Sequence, residues 1–206
     1  MKVIVLTKSS KHGGLCVAGI DAENGQWIRL VSNNSSTHGA LMYEDIIYED
    51  GSEMQILDIV DVEIIGKENN PIQPENYIIN SNFYFKLRGR SELRDVLTLH
   101  PCEKLPAILG NYNCYVPETD IGKVGYSLTM IQVKNLFIHQ VHNPSGAPKT
   151  KASFFYNGYN YSRMPVTDSK FYSVSDGKYY SEAILIMSIG TPYNSNYYKF
   201  IAAILV

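Results

Sequence analysis

At 206 residues the chain has room for one large domain or two small ones, each able to bury a core. Its make-up of 45% hydrophobic and 18% charged residues, with no long Pro/Gly/Ser tract, excludes domain-scale disorder. A net charge of -2 argues against a strongly basic nucleic-acid or membrane binder.

The mean hides an asymmetry. Residues 1–100 carry nine Lys and Arg against fourteen Asp and Glu, a net of -5, whereas 101–206 carry nine against six, a net of +3. If a polyanion binds, the second half is the expected seat. The sixteen tyrosines outnumber the seven phenylalanines and one tryptophan, which favours pleated, half-buried strands. Cys16, Cys102 and Cys114 are too few and too scattered for a disulfide framework. The opening MKVIVLT is too short for a signal-peptide core, and no apolar run approaches the roughly 20 residues of a membrane span. A cytoplasmic protein with reduced thiols and no membrane contact is expected.

In chain order, KVIVLT (Lys2 to Thr7) reads as a strand ending in the loop KSSKHGG. LCVAGID and WIRLV follow, and the Asn24-Gly25 pair between them is a hairpin signal, because Gly accepts the positive φ of a tight turn. Met54 to Ile65 (MQILDIVDVEII) reads as one long strand. Its apolar set changes parity between Ile59 and Val60, which predicts a bulge. PIQPENYII gives another strand, since its prolines discourage helix.

SELRDVLTL (Ser91 to Leu99) is the best helix, with Ser91 placed to cap it and Pro101 beyond its end. A further helical turn is possible over Glu103 to Leu109. The second half resumes with SLTMIQVKNLFIHQV, then KASFFYNGYNYSRMPVTD, whose Asn157-Gly158 pair marks the clearest hairpin. YYSEAILIMSIG and YYKFIAAILV close the chain as strands. Each half is thus a meander with extra strands, which suits a small five-stranded barrel of the OB type, or one continuous sandwich.

Three phrases carry a family resemblance: VIVLTKSSKHGGLCVAGIDAENGQWIRLV, LDIVDVEI followed by QPENYII, and the closing SIGTPYNSNYYKFIAAIL. Together the chain resembles the dual OB-containing domain family, a group of bacterial proteins. The resemblance implies a mainly β fold of two tandem OB-like barrels, and a nucleic-acid-binding role. The expected layout is a first barrel over 1–90, a helical or loop connection over 91–120, and a second barrel over 121–206.

For chemistry, the aromatic hairpin stands first. Phe154, Phe155, Tyr156, Tyr159, Tyr161 and Arg163 crowd ten residues, with Lys149 and Lys151 just before. Aromatic faces stack on bases while Lys and Arg meet phosphates. Strand alternation puts Phe154 and Tyr156 together opposite Phe155, and Tyr159, Tyr161 and Arg163 on one face. The bland alternative makes one set core. In the first loop, Lys8, Lys11 and His12 with two glycines can cradle a phosphate, although the P-loop order is absent. Trp27 and Arg29 share a face and can form a recognition pair, although a lone tryptophan in a small barrel is more often core. Lys199 in an apolar strand snorkels, pairs with Asp168 or reaches a ligand.

His139 and His142 point to opposite faces of a strand, and no CxxC, G-x-S-x-G, H-E-x-x-H or GxGxxG set occurs, so no metal or cofactor is expected. The pairs Glu44 and Asp45, Glu49 and Asp50, and Asp58 and Asp61 leave a nuclease as a minor reading. The leading expectation is a non-catalytic binder of single-stranded DNA or RNA. Its proposed contacts are Lys8, Lys11, Trp27, Arg29, Tyr156, Tyr159, Tyr161, Arg163 and Lys199. The alternative is a protein-interaction or small-ligand sensor module working with a partner protein.

Overall fold

The computed structural model describes residues 1–11, 13–142, 146 and 149–206. Two compact units emerge, Met1–Asn70 with Pro74–Pro101, and Pro71–Gln73 with Cys102–Val206. The segment 91–120, expected as a connection, is divided between them, with the helix in the first unit and residues from Cys102 onward in the second.

The first unit is a seven-stranded sheet. Its strands are β1 (Lys2–Lys11), β2 (Gly14–Asp21), β3 (Trp27–Val31), β4 (Asp58–Asp61), β5 (Ile64–Lys67), β6 (Asn76–Ile79) and β7 (Lys86–Arg90). The order β5-β6-β3-β2-β1-β4-β7 closes on itself, because β4 and β5 are two halves of the single run foreseen at Met54 to Ile65. β4 pairs with β1 and β5 with β6, so the circuit joins across Val62 and Glu63. β3 and β6 form the one parallel pair, and β7 hangs outside on β4. Val3, Val5, Val17, Ile28, Leu30, Val60 and Val62 fill the interior.

The bulge at Ile59 and Val60 is present, carried by the partner strand: Ile59 faces Gly89 while Val60 faces Leu87. The face does not switch, however. Asp58, Val60 and Val62 alternate inward, and Asp58 occupies an interior position because Tyr48 Oη and the Gln55 amide both donate to it, at 2.8 and 2.7 Å. A satisfied buried carboxylate thus mimicked a parity change.

KSSK, the first part of the expected loop, is likewise strand. β1 runs on to Lys11, which faces Gly14 across a tight hairpin, so Lys8, Ser9 and Ser10 are ladder residues with Val17, Cys16 and Leu15 opposite. The β2–β3 hairpin is as expected, with Gly25 at φ 72° and its amide donating to Asp21 O at 2.9 Å. α1 (Leu93–Leu99) packs there so closely that a Cβ on Gly25 would lie 2.6 Å from Leu99 O. Ser91 does not cap α1. Glu92 holds the N-cap position with no side-chain bond, and the Ser91 hydroxyl turns to Glu92 O at 3.3 Å.

The second unit is a six-stranded sheet of β8 (Tyr115–Pro117), β9 (Leu128–Val141), β10 (Lys149–Tyr156), β11 (Tyr159–Pro165), β12 (Tyr179–Tyr193) and β13 (Asn196–Leu205), with the short α2 (Glu118–Ile121) after β8. The order is β11-β10-β9-β12-β13-β8. Val166, just past β11, pairs in parallel with Ile201 of β13, and Thr167 N donates to Ile201 O at 2.9 Å. The circuit β9-β10-β11-β13-β12-β9 therefore closes as in the first unit, again through one parallel contact. Asn157 and Gly158, at φ 47° and 81°, form the two-residue turn of the β10–β11 hairpin. Leu136, Ile138, Phe154, Tyr161, Leu185 and Ile201 lie in this core.

Candidate nucleic-acid interface

The contacts proposed in the first half are not gathered on one exposed face, although Lys11 lines an open groove with Ser10, Gly13 and Gly14. Lys8 Nζ is bound to Glu53 Oε1 and to Met54 O, which removes it from a phosphate-binding role. Lys11 is half-buried, and that burial lowers its pKa, with the nearby Arg29 guanidinium acting in the same direction and Cys16 opposing. His12 lies outside the described residues. Arg29 is only 2% exposed, sealed in β3 between Ala18 and Asn76 of its neighbours, so it serves the interior rather than a ligand. Trp27 is half-buried and meets His100 edge to face at 5.0 Å, while His100 Nδ1 lies 2.8 Å from Gly25 O. The expected Trp27–Arg29 recognition pair is thus a packing arrangement.

In the second half the alternation of β10 holds: Phe154 and Tyr156 point inward and Phe155 outward. Tyr156 is buried, its hydroxyl accepting from Leu105 N at 2.8 Å and donating to Glu103 O at 3.1 Å, and burial raises its pKa. Tyr161 is 1% exposed, stacks on Phe154 at 5.4 Å and accepts from Ile108 N. Tyr159 shares its face, ring edge against ring at 5.0 Å, but Arg163 does not. Tyr159 is exposed at the hairpin end against Tyr112, and a bulge opposite Ser153 sets Arg163 at φ 51° and turns it to solvent. Lys199 neither snorkels nor pairs with Asp168. It is wholly buried, donating to Ile108 O, Asn111 O and Asn111 Oδ1 at 2.6, 2.7 and 2.8 Å, and desolvation pushes its pKa down to about 7.

What the fold does bring together is the outer face of the β11-β10-β9-β12 sheet. One row across it runs Asn160, Phe155, Lys134, Glu182, and the next contains Ser153, Phe137, Tyr179. Phe155, Phe137 and Tyr179 are 40%, 41% and 46% exposed, and the latter two rings touch at 4.8 Å. Around them stand Lys134, Lys149, Lys151 and Arg163, none of which joins an ion pair among the described residues. His139 Nε2 lies 2.9 Å from Ser153 Oγ, which also accepts the Arg163 amide at 3.0 Å. A bulge at Asn135, with φ 53°, keeps Phe137 in this row, and the Tyr179 hydroxyl donates to Asn135 Oδ1 at 2.8 Å. Phe137, Tyr179 and Lys134 were absent from the sequence-derived set. Plain strand alternation through SLTMIQVKNLFIHQV puts Phe137 inward with Val133, and only the bulge turns it outward.

Next to Phe155 lies an open groove of about 660 Å³ lined by Lys104, Leu105, Pro106, Gln132, Lys134 and the 155–158 turn. At least one member of each acidic pair of the first half is engaged locally. Asp45 accepts from Met42 N, Asp50 from Ser52, and Asp61 holds Arg88 at 2.6 Å. Among the described residues no three His, Cys, Asp or Glu side chains converge as metal ligands, and no helix is long and apolar enough to cross a membrane.

Two circuits of five strands, each closed by a single parallel contact, define a protein of tandem OB-type barrels. The family model of the dual OB-containing domain matches residues 1–204, and the chain belongs to that family. No curated protein and no solved structure matches it.

Proposed function

We propose that the protein is a non-catalytic binder of single-stranded DNA or RNA, and that the outer face of the second barrel makes the contact. The observation that carries this reading is the grouping of exposed Phe137, Phe155 and Tyr179 among Lys134, Lys151 and Arg163. β10 and β11 are the second and third strands of that barrel, the face on which OB folds take up oligonucleotides and oligosaccharides. Exposed rings supply sequence-tolerant stacking and the cations follow the phosphates. The +3 balance of residues 101–206 adds long-range attraction. Of the residues first singled out, Arg163 remains as a contact on this face, and Tyr159 stands at the exposed hairpin end beside it. Tyr156, Tyr161 and Lys199 act beneath the surface. Three free cysteines suit a cytoplasmic setting.

The test is a double charge reversal, Lys151→Glu with Arg163→Glu, in the full chain. The reading expects oligonucleotide binding to fall sharply while the melting temperature holds. Unchanged binding would remove this face from the account.

A protein-interaction role has one specific observation in its favour. All five residues of β7 are exposed, and beside β4 it has no second strand neighbour in the sheet. An edge of this kind accepts an added strand. Its Lys86, Arg88 and Arg90, however, are the charges that commonly guard an edge against pairing.

A further inference from the structure

Residues 103–112 cross the second barrel with only one short helical turn, Ile108–Gly110, so their backbone polar groups need partners from elsewhere. Barrel side chains provide them in series. Tyr156 Oη holds Glu103 O and Leu105 N, and Asn157 Nδ2 donates to Leu105 O at 3.1 Å and to Pro106 O at 3.4 Å. Tyr161 Oη holds Ile108 N, and Lys199 Nζ gathers Ile108 O and both Asn111 oxygens. Tyr112 then lies on Tyr159 at 4.6 Å and donates back to Pro106 O at 3.1 Å. Leu109 and Gly110, at φ 48° and 90°, make the sharp turn that these bonds hold.

The segment fastened this way presents Lys104, Leu105 and Pro106 as one wall of the groove beside Phe155. The same lining includes Phe155, Gln132, Lys134 and Asn157. Asn157 spends its Nδ2 on the segment, which leaves its Oδ1 as an acceptor. A ring to stack on, two amide groups and two ammonium groups in one lining describe one chemistry.

We propose that this groove is a slot for a single nucleotide, its base against Phe155 and its phosphate between Lys104 and Lys134. Tyr156, Tyr161 and Lys199 are positioning residues that set the slot's width through the 103–112 segment. The inference rests on the nucleic-acid reading for the wider face, but the slot takes the same chemistry from a free nucleotide or from one residue of a strand. The groove's volume lies within the range of small-ligand sites.

The experiment has two arms on the full chain. Amide chemical-shift titration with adenosine and uridine monophosphates reads the slot alone. Photo-crosslinking of a bromouracil-substituted oligonucleotide, mapped by mass spectrometry, reads the strand. Wild type is expected to shift at Gln132, Phe155 and Asn157, and to crosslink within 155–158. Phe155→Ala is expected to weaken mononucleotide binding about tenfold. Tyr156→Phe keeps the ring but lets go of Leu105, so it is expected to lose the crosslink at 155–158 and retain one at Phe137 or Tyr179. Lys199→Met is expected to do the same, with circular dichroism confirming the fold of both. Mononucleotide shifts without oligonucleotide binding would uphold the slot and overturn the wider reading. Oligonucleotide binding that leaves the slot amides and both positioning variants unaffected would overturn the slot and spare that reading. No response in either arm would overturn both.

Discussion

Phe155 of β10 and Lys134 of β9 are direct register partners on the outer sheet face of the second barrel, a ring and an ammonium side by side in solvent. Stacking and phosphate attraction separate experimentally at this pair. Phe155→Ala is expected to cost about 1–3 kcal/mol of oligonucleotide binding at any salt concentration. Lys134→Ala is expected to lower the slope of log affinity against log salt by about one. Fluorescence anisotropy titrations at several salt concentrations measure both.

Arg163 and Arg29 make a second contrast. Arg163 is exposed on a bulge and Arg29 is sealed in β3. Arg163→Ala is expected to weaken binding and leave the melting temperature within a degree or two. Arg29→Ala is expected to lower stability by about 3 kcal/mol, since a large side chain sealed in the interior leaves a void. Urea denaturation and binding, measured on the same preparations, distinguish them.

Asp58 tests the interior of the first barrel. Its carboxylate accepts both the Tyr48 hydroxyl and the Gln55 amide, and burial followed by that hydrogen bond raises the Tyr48 pKa far above an ordinary tyrosine. Asp58→Ala strands both donors and is expected to cost about 3 kcal/mol in urea denaturation. Absorbance titration of the wild type is expected to show one tyrosine ionising only with unfolding, and in Tyr48→Phe that component is gone.

Lys199 gives a pH signature. Burial lowers its folded pKa to about 7, while the unfolded chain keeps the proton until about 10.4. Between those values the unfolded state binds more protons, so this group adds stability as pH rises through the window and withdraws it as pH falls toward 7. The melting temperature of wild type is therefore expected to climb relative to Lys199→Met between pH 7 and 10. Parallel curves would show that Lys199 stays charged throughout.

The barrels were legible because turn chemistry and alternation are local signals. Asn24-Gly25 and Asn157-Gly158 mark their hairpins, and β10 sorts Phe154 and Tyr156 from Phe155 by parity alone. The site was less legible because charge does not announce burial. Arg29, Asp58 and Lys199 look like surface residues in the sequence, yet each is interior, and Lys199 is held by groups as distant along the chain as Ile108 and Asn111. Bulges hid the rest. The ones at Asn135 and Arg163 decide which rings and cations reach the outer face, and neither has a residue pattern that dictates it.

The most direct measurement is fluorescence anisotropy of labelled single-stranded DNA, single-stranded RNA and duplex, each titrated with the full chain across a salt series. The account predicts micromolar or tighter binding to a single strand, weakening steeply with salt and reduced by Phe137→Ala and Phe155→Ala. Flat traces for all three probes at low salt would contradict it.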